Sequence, residues 1–152
     1  MQALGLGALL WISLLWAGLV IGISFIEAPA KFRAPSLTRP VALDVGRHVF
    51  RASHMVQLAM AAALWPCAAL APMSLGQWLA LGLGEALFFV QHLWLLPALD
   101  HRAQAIITGQ APADGSPHAL YVVLEVVKLS VLLGLGYSLL RVLLAGGTQL
   151  VS

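Results

Sequence analysis

Inside stretches that are otherwise apolar, this sequence places residue types suited to acid–base chemistry and metal ligation. Glu85 and His92 lie within SLGQWLALGLGEALFFVQHLWLLPAL, Glu125 and Lys128 lie within ALYVVLEVVKLSVLLGLGYSLL, and His54 opens HMVQLAMAAALW. An ionisable side chain in a membrane-spanning helix costs about 2.5–3.5 kcal/mol on insertion scales, so each is expected to face a bundle interior and to have a partner. Three chemistries follow from the set. Glu27, His54, His92 and Glu125, one from each expected helix, offer two imidazoles and two carboxylates for a single divalent cation. His54 and His92 alone offer the two axial ligands of a haem. His92 and Glu125 offer an acid and a base for a lipophilic substrate. The non-chemical alternative is a hydrogen-bonded layer in which His92 and Glu125 satisfy each other. A di-iron site is disfavoured, because Glu85 and His92 are seven residues apart and do not form a Glu-x-x-His pair.

The elements that must hold these groups follow from composition. The chain has 152 residues, of which 61% are hydrophobic and 9% charged, roughly one third of the charge of an average soluble domain. That excludes a soluble globular surface. A spanning helix needs about 20 apolar residues, and the expected fold is an all-α, four-helix transmembrane bundle forming one domain over 1–152. Its helices are expected at about 4–27, 41–70, 75–97 and 117–144, with a charged connection over 28–51 and a polar loop over 98–116. Pro29 is expected to end the first helix, Pro97 the third, and Ser116–Pro117 to open the fourth. The first helix lacks a basic segment ahead of Leu4 and is expected to be retained rather than cleaved as a signal peptide. Gly18 and Gly22, four apart, mark a close helix–helix approach. Trp78 and Trp94 suit an interfacial belt, whereas Trp16 is deep enough to be packing. Cys67 is a lone thiol, expected to pack rather than react.

Charge sets orientation and partners. Lys31, Arg33, Arg39, Arg47 and Arg51 crowd one connection and Arg102 lies in the third, so both are expected on the cytoplasmic face of a bacterial-type inner membrane, with both termini outside. Asp44, Arg47, His48 and Arg51 recur at helical spacing. They form either a solvated stripe in which Asp44 pairs with Arg47 or His48, or a docking face for anionic lipid headgroups, a substrate or a partner. The formal net charge of +2 thus reports on loops beside a bilayer and not on a nucleic-acid-binding face. His101 and His118 are expected as solvated loop residues.

Depth orders the buried groups into two layers. At about 1.5 Å per residue, Glu85 and Lys128 fall near the bilayer middle and are expected to form an interhelical ion pair. The competing arrangement is Glu125–Lys128 along one helix. His54, His92, Glu125 and Glu27 fall nearer the cytoplasm.

The runs GISFIEAPAKF and GRHVFRASH, with LDHR and the histidine just ahead of the fourth helix, resemble the small four-helix membrane proteins grouped as transmembrane protein 205-like, which include bacterial members of unknown function. The resemblance implies a four-helix membrane fold with a polar cytoplasmic face and carries over no catalytic residue. Glu125 with Lys128 departs from its pattern. Two functional classes follow from the whole reading. One is a protein binding a metal, haem or small ligand in a cytoplasmic-side pocket. The other is an accessory subunit or scaffold of a membrane complex, or a homo-oligomer, whose polar layers only fix helix register.

Overall fold

The computed structural model describes residues 1–110 and 117–148, the last three of these as backbone alone. Within these residues the chain forms four helical rods, α1 (Gln2–Arg33), α2 (Arg39–Leu70), α3 (Leu75–Ile107) and α4 (Pro117–Thr148). All four are long and apolar enough to cross a membrane. Leu9, Trp16, Leu64, Leu81, Phe88, Leu135 and Leu139 fill the core between them.

Two rods outrun the ends expected from their prolines. α1 is α-helical to Val20, widens into a π-helical segment over Ile21–Glu27 and resumes as α-helix over Ala28–Arg33. α3 repeats the device, with a π-helical segment over Gln91–Leu95 followed by Leu96–Ile107. In each case the proline, Pro29 or Pro97, stands two residues beyond the π segment. A proline removes one N–H and crowds the carbonyl four residues back, and the wider π turn ahead of it accommodates both. The connection expected over 28–51 therefore shrinks to residues 34–38, and the loop expected from 98 is helix as far as Ile107. Residues 111–116, with the expected helix start at Ser116, lie outside the described residues.

The remaining ends are set by local chemistry. Ser74 caps α3 in a reciprocal box with Gln77, its hydroxyl accepting from the Gln77 N–H and the Gln77 side chain accepting from the Ser74 N–H. α3 stops at a left-handed Gly109, φ 75°, where the Gln110 N–H reaches the Ala105 carbonyl and the Gly109 N–H reaches Ile106. Only a residue without Cβ adopts that conformation at little cost.

α1 packs along both α2 and α4, α4 along α3, and the second half of α3 returns against α2. The close approach is not at Gly18 and Gly22, where a Cβ would meet nothing within 4 Å, but at Gly5, where it would lie 3.0 Å from the Cys67 carbonyl and 3.1 Å from Leu70. Backbone cannot yield as a side chain can. Alanine at 18 should therefore stabilise α1 by up to about 1 kcal/mol through helix propensity. Alanine at 5 should destabilise the bundle by about 1–3 kcal/mol through overpacking. Thermal unfolding of the two variants in detergent tests this opposition of sign.

Candidate functional site

The interior polar groups are organised around the Lys128 ammonium. Lys128 is 0% exposed, and its three N–H donors meet three acceptors, Gln91 Oε1 at 2.7 Å, Glu125 Oε1 at 2.8 Å and Gln57 Oε1 at 3.0 Å. Those acceptors come from α3, α4 and α2. α1 joins through Ser24, whose hydroxyl donates to Glu125 Oε2 at 3.1 Å, and through Trp16, whose indole N–H donates to Gln57 Oε1 at 2.8 Å. Gln91 also donates to Glu125 at 3.0 Å, and Gln57 donates to Ser53 at 3.1 Å. Both π segments contribute, since Ser24 lies in the first and Gln91 in the second.

Toward the end of the bundle that carries Lys31, Arg33, Arg39, Arg47 and Arg51, here the charged end, lies a second cluster. His54 is fully buried, with one ring nitrogen 2.9 Å from the Tyr121 hydroxyl and the other 3.4 Å from His92 Nδ1. A neutral imidazole donates at one nitrogen and accepts at the other, so these two contacts use both of its valences. Phe88 stacks on both imidazoles, with centroids 5.6 and 5.5 Å away, and meets Trp16 edge-on.

Beyond Tyr121 the charged end opens into a cavity of about 410 Å³ to which all four rods contribute. Lys31 of α1, Arg39 and Arg47 of α2, and Arg102 of α3 line it, together with Asp100 and His118. Leu43, Phe50, Leu96, Leu99 and Ile106 supply apolar wall. Asp100 is held by Arg47, with Nε–Oδ1 at 2.6 Å and Nη2–Oδ2 at 3.3 Å, and by Arg51 at 2.5 Å, which ties α3 to α2. Arg47 also donates to the Gln104 side chain. Lys31 crosses from α1 over Gly46, pairs with Glu27 at 3.0 Å, and lies 5.3 Å from the Phe50 ring centroid.

The expected site residues divide accordingly. Glu85 and Lys128 do not pair. Lys128 is taken by Glu125 along α4, while Glu85 accepts from the Trp65 indole at 2.8 Å and leaves its other oxygen buried without a hydrogen-bond partner. Glu27, His54, His92 and Glu125 do not converge on one point. Glu27 pairs with Lys31, both Glu125 oxygens are occupied, and His92 bonds His54 rather than Glu125. Among the described residues no three His, Cys, Asp or Glu side chains are grouped to hold a metal ion. A haem between His54 and His92 has no slot, because the rings touch. The stripe splits as well. Asp44 stays exposed beside Arg47 at 3.7 Å and His48 at 3.9 Å, whereas Arg47 and Arg51 turn to Asp100. His118 is exposed, but it stands in the first turn of α4 rather than in a loop, and it lines the cavity.

Gln57, Gln91 and Ser24 escape a search for ionisable groups in spans, Tyr121 escapes it as a neutral phenol, and Asp100 escapes it because its expected place is the loop. The available signal is the placing of Gln57 one turn after His54 and of Gln91 beside His92, amides inside runs too apolar to leave them unpaired. No family model, curated protein or solved structure matches this chain. Its geometry is that of a four-helix bundle in which every Lys128 donor is matched at the centre and a cavity opens at the charged end.

Removing one partner of a buried ion pair strands the other. Lys128→Met should cost about 3–5 kcal/mol, and adding Glu125→Gln should recover part of that loss. Glu85→Gln should cost less than about 1 kcal/mol, because the Trp65 N–H can donate equally to an amide oxygen. Denaturant unfolding in mixed micelles measures all three, and a loss at Glu85 equal to that at Lys128 would contradict this arrangement.

Proposed function

We propose that this chain is an integral protein of a bacterial-type inner membrane with both termini outside, and that it binds a small ligand in the cavity at its cytoplasmic end. Membership of the transmembrane protein 205-like group is part of the proposal. The observation that carries it is the cavity itself: about 410 Å³, contributed to by all four helices, with Tyr121 as the link to the His54–His92 pair. Specific small-molecule sites have this size and this mixture of apolar wall with a few convergent polar groups. The orientation rests on Lys31, Arg33, Arg39, Arg47, Arg51 and Arg102 at one end against Arg141 at the other. The Lys128 network is assigned to fixing helix register, and Leu9, Leu64, Leu132, Leu135 and Leu139 fill the bundle beyond it, so the ligand enters from one side only.

In a chain carrying Cys67→Ala, a cysteine at Leu75 should react with an impermeant maleimide on intact cells. One at Ser36 should react only after the membrane is opened, and the reverse pattern would overturn the orientation. Mass spectrometry of the protein purified in mild detergent should recover a near-stoichiometric small molecule. An Ala103→Phe chain, with its cavity filled, should lose it. Equal recovery from both chains would dismiss the cavity as the site.

A further inference from the structure

We infer that the ligand of this cavity is an anion carried on a single apolar tail, of the fatty-carboxylate or alkyl-phosphate class, its head held by Arg39 at the mouth. The inference rests on the cavity being a ligand site and adds the chemistry of what fills it.

The shape comes first. The lining runs along α2 from Arg39 to Phe50, twelve residues or about 16 Å of helix. Antiparallel to it, α3 contributes from Ile106 back to Leu96. The space thus follows α2 and α3 lengthwise, with α1 and α4 closing it through Lys31 and Tyr121. Its deep end is made by Phe50, Leu96 and Tyr121, surfaces that suit hydrocarbon.

Charge decides the other end. Among the described residues, Lys31, Arg39, Arg47 and Arg51 are in or beside the slot, against the carboxylates of Glu27, Asp44 and Asp100. Cations remain in excess after every one of these carboxylates is counted. Arg39 is exposed at the mouth and has no ion pair among the described residues. Arg47 already grips a carboxylate, that of Asp100, with two nitrogens, the fork geometry that guanidinium offers to carboxylate and phosphate alike. A neutral ligand would make no use of the Arg39 guanidinium, and an inorganic anion would leave the apolar end empty. A tailed anion satisfies both.

The test uses the full chain in a neutral detergent and calorimetric titration with four probes: laurate, dodecyl phosphate, dodecanol and inorganic phosphate. Laurate or dodecyl phosphate should bind at least tenfold more tightly than dodecanol or inorganic phosphate. The tighter of the two heads distinguishes a free fatty acid from a phospholipid-derived source. Arg39→Gln should weaken the tailed anion about tenfold, the loss expected for one charge-assisted contact, and leave dodecanol unchanged, while Ala103→Phe should abolish both. Dodecanol binding as tightly as the tailed anions, indifferent to Arg39→Gln but lost in Ala103→Phe, would overturn the anion assignment and leave the cavity a ligand site. Binding of any probe that survives Ala103→Phe, or binding of none, would overturn the anion assignment and the cavity reading together.

Discussion

An ammonium group with no exposed surface must find an acceptor for each of its three protons, and the bundle is built to supply them to Lys128. The acceptors come from three different rods, and Trp16 and Ser24 tie the fourth rod to the same cluster. In an apolar interior an unmade hydrogen bond costs far more than a made one gains, so the network acts as a constraint on geometry before it acts as a source of stability. A shift of one residue along any helix turns its side chains by about 100° and moves them about 1.5 Å, which would withdraw that rod's contribution. The register of all four rods is thus fixed at one level.

That constraint gives the two π segments a purpose beyond accommodating Pro29 and Pro97. A π turn widens the helix locally and changes the direction in which the following residues point. Ser24 and Gln91, which reach the Lys128–Glu125 pair from α1 and α3, both sit in such turns. The same adjustment lets α1 and α3 continue to Arg33 and Ile107, and the extra turns make the cavity walls, with Lys31 on one and Leu99, Asp100 and Ile106 on the other. Centre and cavity are consequences of one local departure from α geometry. Tyr121 joins them, lining the cavity while its hydroxyl meets His54.

The four rods and the concentration of cations at one end were legible in composition and hydropathy, because apolar runs of span length admit few other folds, whereas the far ends of α1 and α3 were not. Rise per residue gave the order of the polar groups along each rod, but Glu125 and Lys128, assigned to separate layers, meet in one cluster. Azimuth was not legible. Glu85 and Lys128 stand at similar heights, yet Glu85 faces Trp65 while the lysine faces Gln91, six residues further along the same rod as Glu85. Six α-helical residues rotate by about 240°, so height alone does not select the partner. Gln57 and Gln91 were missed for a related reason. An amide carries no formal charge and attracts no attention in a span, although its two donors and its carbonyl make it the natural bridge between an ammonium and a carboxylate. The prolines misled because their cost is local, and a neighbouring turn absorbed it.

The course of one cavity cation depends in turn on one small residue. Lysine near a helix end ordinarily extends its stem toward water, but Lys31 lies back across α2 and is buried, because position 46 has no side chain. A Cβ there would stand 2.8 Å from the ammonium nitrogen, too close for the lysine to keep its course. Glycine is needed here for passage rather than for backbone freedom, since residue 46 lies within an unbroken helix. The positive charge is therefore held inside the cavity against Glu27 and the Phe50 ring instead of at its rim. Position 46 thereby governs how much cation the slot presents to whatever enters it.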